Sequence, residues 1–351
     1  MSEMHTVVGW DVGGVQVKSA RVSWRAGEIE NSCIATRPFD IWQEPDKLSS
    51  VLGEVAREIG VQGGESMVVT MTAELSDAFR TKRDGVLFVL HEIGQVFQCH
   101  PLHVLDIAGG FVALESASGR PLDFAATNWV ASALFVAERH QDCILIDMGS
   151  TTTDIIPIRD GVVVAEGRND MARLASGELI YTGLLRTNPN TLVDVVPVRG
   201  RMCRVAAENF TVMADVYLLL GALSAGEYTC PTPDGRAKSR AAASGRLARL
   251  VCADTEMLSE EEILKIADFL REKQLQQIAD GLLQVLSRLG GVQDIPVAVA
   301  GVGSSLAAEV TRRLGLEVLE AGRVWSGVEP SALPASAAAW LLARRLGEGE
   351  A

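Results

Sequence analysis

The chain has 351 residues, a formal charge of −13 and an apolar share of 48%. That length suits two domains or one large one, with ample material for a core, and the acidic balance argues against nucleic acid and anionic membrane surfaces as partners. No apolar run reaches the ~18–20 residues that span a bilayer, and the opening MSEMHTVVGWDVGG lacks the basic-then-apolar pattern of a secretory leader, so a cytoplasmic protein is expected.

In chain order, HTVVGWDVGG (5–14) is an apolar run broken by an aspartate and two glycines. VQVKSARVSW (15–24) alternates apolar and polar residues as a strand does, and GEIENSCIATRPF (27–39) offers a third strand. Apolar residues at three- and four-residue steps predict a helix over 45–59, with Gly60 as its stop. SMVVTMTAEL (66–75) is a buried strand with a polar tail, 85–97 an amphipathic helix, and LHVLDIAGGFV (102–112) a strand with a glycine turn. DFAATNWVASALFVAERH (123–140) has the length and apolar stripe of a helix.

CILIDMGSTTTDIIPI (143–158) then repeats the strand, Asp-x-Gly turn, strand pattern of the N-terminus, and RDGVVVAE (159–166) continues the sheet. Helices are predicted over 210–223 and 259–289, separated by SAGEYTCPTPDGRAKSRAAASG (224–245), which reads as a long loop. IPVAVAGVGSS (295–305) is a buried strand ending in a glycine turn, followed by a helix from Leu306, a strand over 316–321 and a terminal helix opened by Pro334. The six cysteines are scattered without CxxC spacing, which predicts reduced thiols, and Cys99, His100 and His103 lack the second ligand pair of a metal site.

Glycines after a strand let backbone N–H groups approach an anion. DVGG supplies Gly13 and Gly14 for this. DMGSTTTD supplies Gly149 with the hydroxyls of Ser150, Thr151, Thr152 and Thr153, fenced by Asp147 and Asp154. Carboxylates beside phosphates act through Mg²⁺ or its waters, because bare like charges repel. The third turn, with Gly301, Gly303 and Ser304, opens a helix whose N-terminus favours negative groups.

Three such turns in this order resemble the superfamily of actin, sugar kinases and acetate kinases. Val8 to Lys18 matches its first phosphate loop, Ile144 to Asp154 its second, and Val297 to Ser305 its adenosine loop. The resemblance implies an α/β fold of two ribonuclease-H-like domains around a central cleft. Residues 1–140 would form the first, with the terminal helix 334–347 packing back on it. Residues 141–333 would form the second, with a helical insertion over about 200–290. Asp11, Gly13, Asp147, Gly149, Thr151, Gly301 and Gly303 would line one cavity.

DMGSTTTDI is similar to the Asp-Met-Gly-Gly-Thr-Thr-Thr-Asp loop of the hydantoinase A/oxoprolinase branch, with Ser150 in place of the second glycine. MTAELSDAFRTKRDGV, ATNWVASA, GELIYTGLLRTNP and CPTPDGRAK with RLARLVCAD resemble a subgroup tied to tetrahydromethanopterin-linked one-carbon metabolism. Its archaeal members are furan-methanamine synthases of methanofuran biosynthesis. The resemblance implies a transferase that joins an aminomethylfuran-methanol diphosphate to the phenol oxygen of a (glutamyl)tyramine, or of tyrosine in a methylofuran pathway, and releases pyrophosphate.

In that reading Asp11 and Asp147 hold Mg²⁺ directly or through water. Lys18, Lys82 and Lys238 add cations at the phosphates, and the general base is Asp154, Glu74 or Asp77. The first loop departs from the subgroup's Asn-Thr pair at Gln16 and Val17 but keeps Lys18. The rival readings are an Mg-ATP-dependent kinase or ATPase, a non-catalytic nucleotide sensor, and ATP-dependent opening of a cyclic amide. Binding of ATP and assembly into a homo-oligomer stay open.

Overall fold

The apolar residues of β1 (His5–Val12) alternate between two faces, as a strand's period of two requires. Val8, Trp10 and Val12 enter a core with Leu52, Val55, Val89 and Ile93, and the Trp10 ring lies 5.0 Å from that of Phe97. These partners come from α1 (Leu48–Glu58) and α2 (Lys82–Val96). β1 pairs antiparallel with β2 (Gln16–Arg25), which pairs antiparallel with β3 (Glu28–Pro38). β4 (Ser66–Met71) and β5 (Leu102–Leu105) extend the sheet in parallel, and β6 (Phe111–Ala113) closes it antiparallel. The order is β3-β2-β1-β4-β5-β6.

The computed structural model describes residues 4–25, 28–289, 295–319, 324–326 and 328–349. The chain divides into two compact units, one of residues 1–145, 156–172 and 319–351, the other of 146–155 and 173–318. The first unit holds the six-stranded sheet, α3 (Leu114–Ala117) and α4 (Asn128–Ala137). Among the described residues no helix is long and apolar enough to cross a membrane.

The chain's last helix, Leu333–Glu348, packs on β1 through Gly9, where an added Cβ would overlap the Ala335 carbonyl oxygen. Gly9→Ala is therefore expected to cost about 1–3 kcal/mol by overpacking. Gly53→Ala, in the open on α1, should be neutral or gain up to about 1 kcal/mol from helix propensity. Urea unfolding of both variants checks the difference, and equal midpoints would refute the packing argument.

A second sheet has the order β10-β8-β7-β13, from β7 (Cys143–Met148), β8 (Thr153–Arg159), β10 (Leu179–Ile180) and β13 (Val297–Ala300), with β9 (Val162–Val163) on β8. β11 (Val195–Val198) and β12 (Arg201–Arg204) form a separate hairpin. The helices of this half are α5 (Asp170–Ser176), α6 (Met213–Leu220), α7 (Arg240–Arg249), α8 (Glu260–Arg288) and α9 (Ser304–Arg313), with α6, α7 and α8 packed together. The Leu333–Glu348 helix is α10. Ser259 opens α8 with a capping box to Glu262, and Gly221 closes α6 in the left-handed conformation.

Three elements differ from the sequence expectation. The helix predicted over 123–140 shrinks to α4, because Ala126 takes a left-handed φ of 50° after a short turn at Pro121–Phe124. The loop predicted over 224–245 ends at Ser239, whose hydroxyl accepts from the Ala242 N–H and starts α7 over alanines. The strand predicted over 316–321 is only a bridge between Val318 and Val297, with its last two residues outside the described ones.

Candidate functional site

The repeated Asp-x-Gly pattern folds into the same turn twice. After β1, the Gly13 N–H donates to the Gln16 carbonyl (3.0 Å); after β7, the Gly149 N–H donates to the Thr152 carbonyl (2.8 Å). Asp11 and Asp147 each stand two residues before their turn. Both turns are held from outside by the next segment: Gly14 and Val15 carbonyls accept from Ile41 and Phe39, and Gly149 and Ser150 carbonyls from Leu184, Leu185 and Arg186. The N–H groups of Gly14, Val15, Ser150 and Thr151 donate to no backbone carbonyl among the described residues. Such N–H groups in a turn are what an anion needs.

In the first unit, Lys18 is the register partner of Asp11 on the neighbouring antiparallel strand. The two side chains therefore share a face with Cβ atoms about 5 Å apart. Asp11 is buried and Lys18 half-buried.

In the second unit, the second and third turns form one body. Gly303 donates its N–H to the Met148 carbonyl (2.9 Å). Gly301, with φ of 80°, lies so close that an added Cβ would overlap the Met148 carbonyl oxygen and stand 2.5 Å from Asp147 Oδ1. Gly183 also presses on the second turn, where a Cβ would overlap the Thr151 nitrogen. Asp147, Gly149, Ser150, Thr151, Gly301, Gly303 and Ser304 are thus brought together.

The four hydroxyls of this turn are not equivalent. Ser150, Thr151 and Thr152 are half-buried at the turn, and the Ser150 and Thr151 hydroxyl oxygens are 3.5 Å apart. Thr153 already belongs to β8, is fully buried and donates to the Thr182 carbonyl (2.7 Å). Asp154, the next residue, is buried and accepts from Arg173 Nη2 (2.7 Å). Both side chains serve the core of this unit.

Glu74 is the outlying titratable group of the first unit. It follows β4 in a single 3-10 turn, is 1% exposed, and neither carboxylate oxygen has a hydrogen-bond partner among the described residues. Burial pushes its pKa up to about 7. The backbone amides of Glu74 and Ala126 and the Lys82 ammonium pull the other way, while Asp170 adds to the rise. Lys82 Nζ is 3.9 Å from Glu74 and in direct contact with Asp170. The stretch 71–86 and the backbone of Ala126 therefore meet at one protonatable carboxyl.

The predicted cations divide by their partners. Lys82 faces two carboxylates rather than an anion site made of N–H groups. Lys238 sits over the Tyr228 ring, 5.4 Å from its centroid. Arg246, in the same basic stretch, is fully buried against Asp215, and Asp234 collects Arg236, Arg246 and Arg249. Arg240 donates to the last carbonyls of α6, Leu218 and Leu219. The stretch is pinned by these contacts. Sequence reading missed Gly183 and Gln274, whose roles depend on partners distant in the chain.

Comparison with known proteins supplies the lineage. Residues 65–342 match the family model described as Hydantoinase/oxoprolinase. The chain is 36% identical over 301 residues to the "(4-{4-[2-(gamma-L-glutamylamino)ethyl]phenoxymethyl}furan-2-yl)methanamine synthase" of Methanocaldococcus jannaschii, covering 86% of this chain and 87% of that protein. The enzyme of the same name from Methanococcus vannielii is 31% identical over 183 residues, 52% of this chain and 81% of that protein. A nucleotide-free acetone carboxylase structure is similar in fold, with TM-score 0.60 at 12% identity over 97% of this chain and 70% of that one. This likeness is one of fold, and it agrees with the α/β architecture expected from the sequence. With a family model matched over most of its length and a relative aligned nearly end to end, the chain belongs to the hydantoinase/oxoprolinase family.

Proposed function

We propose that this protein is a transferase of methanofuran or methylofuran biosynthesis. It would join an aminomethylfuran-methanol diphosphate to the phenol oxygen of tyrosine or a (glutamyl)tyramine and release pyrophosphate. The relatives' name describes a product whose phenol oxygen is bonded to a furan methylene, and that bond is the one a diphosphate leaving group would allow to form. The observation that carries the reading is the Gly149–Thr152 turn, with N–H and hydroxyl groups clamped beside Asp147 by Gly183 and Gly301.

The roles follow from the residues. The bond from the methylene to the diphosphate oxygen breaks, helped by the furan ring oxygen, which stabilises positive charge at that carbon. Ser150, Thr151 and the turn's N–H groups donate to the departing pyrophosphate. The new bond forms from the phenol oxygen, whose proton goes to the Glu74 carboxylate, the group poised near neutrality. Asp154, bonded to Arg173, and exposed Asp77 are weaker candidates for that proton.

Among the described residues no group of three or more His, Cys, Asp or Glu side chains is placed to hold a metal. Mg²⁺ suits such surroundings when substrate phosphates complete its shell, with Asp147 or Asp11 holding it directly or through water. Bound there, Mg²⁺ supplies neutralisation of charge on the leaving group.

The test mixes purified protein, Mg²⁺, the furan diphosphate and either phenol, without ATP. Equimolar pyrophosphate and aryl ether are expected. Pyrophosphate only upon adding ATP, or ATP hydrolysis without the furan, would favour a kinase-like activity. Tight nucleotide binding with no turnover would favour a sensor.

A further inference from the structure

A buried hydrogen-bonded network lies behind the Gly149–Thr152 turn, centred on Gln274 of α8. Gln274 is fully buried. The Tyr217 hydroxyl of α6 donates to Gln274 Oε1 (2.6 Å). Burial pushes the Tyr217 pKa up, so this hydroxyl keeps its proton and its role as donor. A donor at Oε1 fixes which way the amide points, because the opposite end must then be the NH₂.

That NH₂ reaches the segment that holds the turn. Gln274 Nε2 donates to the Gly183 carbonyl (2.9 Å) and to Thr182 Oγ1 (2.8 Å). Thr187 Oγ1 accepts from the Gly183 N–H (2.8 Å) and donates to the Gly183 carbonyl (3.0 Å). The Thr182 carbonyl accepts from Thr153 at the end of the turn (2.7 Å). Gly183 itself presses on the Thr151 nitrogen. Gln274 therefore grips two of the residues that meet the turn, just ahead of Leu184, Leu185 and Arg186, whose N–H groups donate to its carbonyls.

An apolar side chain of similar volume would fill this space, but it could not fix the height of Gly183 above Thr151. A satisfied polar network in a core defines one arrangement, at the cost of strict geometry. We propose that Gln274 is a positioning residue for pyrophosphate recognition, acting through Thr182 and Gly183 on the N–H and hydroxyl groups of Ser150 and Thr151. Gln274 touches no ligand in this role, and the proposal rests on the diphosphate reading given above. Tyr217 is its orienting partner.

Two variants test the assignment. Gln274→Leu keeps the volume and strips the Gly183 carbonyl, Thr182 and Tyr217 of a partner. At a temperature well below its melting point, its affinity for inorganic pyrophosphate with Mg²⁺, by calorimetry, should fall at least tenfold. The KM for the furan diphosphate should rise in step, while the KM for the phenol stays near the wild-type value. Gln274→Glu is isosteric. When protonated it accepts from Tyr217 and donates to the Gly183 carbonyl, so its affinity relative to wild type should be near one at pH 6 and fall by pH 9. A folded Gln274→Leu protein whose pyrophosphate affinity and furan diphosphate KM lie within twofold of wild type would overturn the proposal alone. A wild-type protein that neither binds pyrophosphate nor turns over would overturn it together with the diphosphate reading.

Discussion

Glu74→Gln is expected to lower kcat/KM for ether formation by about 10²- to 10⁴-fold, the range for losing a general base, while making the protein more stable at pH 8. Both effects come from one buried carboxyl. Wild-type kcat/KM should rise with pH through about 7 as Glu74 ionises, and the variant should lose that limb. The stability effect has the opposite direction. The folded pKa of Glu74 lies above the ordinary 4.5, so the folded state holds a proton that the unfolded state releases. The stability it contributes is full below about pH 4.5 and disappears as pH rises through about 7. At ~1.4 kcal/mol per pKa unit the interval amounts to about 3 kcal/mol. Melting curves of wild type and Glu74→Gln should therefore diverge between pH 5 and pH 8, with the wild type falling. Lys82→Met removes an ammonium that favours the carboxylate, so the rate limb should move to higher pH. A Glu74→Gln enzyme with wild-type rate and an unchanged limb would remove Glu74 from the chemistry.

What could be read from the chain follows the range of each interaction. The two Asp-x-Gly turns were legible because their closing hydrogen bonds, Gly13 to Gln16 and Gly149 to Thr152, span three residues. The threonines that follow Ser150 look alike in sequence. The strand's alternation, which begins at Thr153, turns that hydroxyl onto Thr182 and removes it from the turn. Asp154 could not be told from a free carboxylate without Arg173, a partner 19 residues on. Lys82 could be named as a cation but not assigned, since Asp170 lies 88 residues away. Arg246 follows directly on the stretch 224–245 with nothing local to mark it as core, yet it is sealed against Asp215 and Asp234. Ala126 carries no local sign of its left-handed backbone, and α4 accordingly starts later than its apolar stripe suggests. Gly183 and Gln274 matter only through close approach and burial, which no short-range pattern encodes.

Gly301→Ala is expected to reduce furan diphosphate turnover more than 100-fold and to abolish measurable pyrophosphate binding. Two costs add at this position. The φ of 80° is a left-handed conformation, which penalises an L side chain by roughly 1–2 kcal/mol. The new Cβ would also overlap the Met148 carbonyl and crowd Asp147 Oδ1. Relief requires moving the third turn off the second, which displaces Asp147 from the place that β7 gives it and breaks the Gly303 to Met148 hydrogen bond. Gly200→Ala separates the terms. Gly200 has a φ of 75° in the β11–β12 hairpin with open space around its Cβ direction, so it carries the conformational cost alone. Both variants should melt below wild type, Gly301→Ala by more, and only Gly301→Ala should lose pyrophosphate binding. Asp147→Asn completes the comparison by keeping the packing and removing the charge. It should melt near wild type while Mg²⁺-dependent turnover falls about 10²-fold. If Gly301→Ala binds pyrophosphate and turns over as Gly200→Ala does, the seating of the third turn on Asp147 has no part in holding the diphosphate.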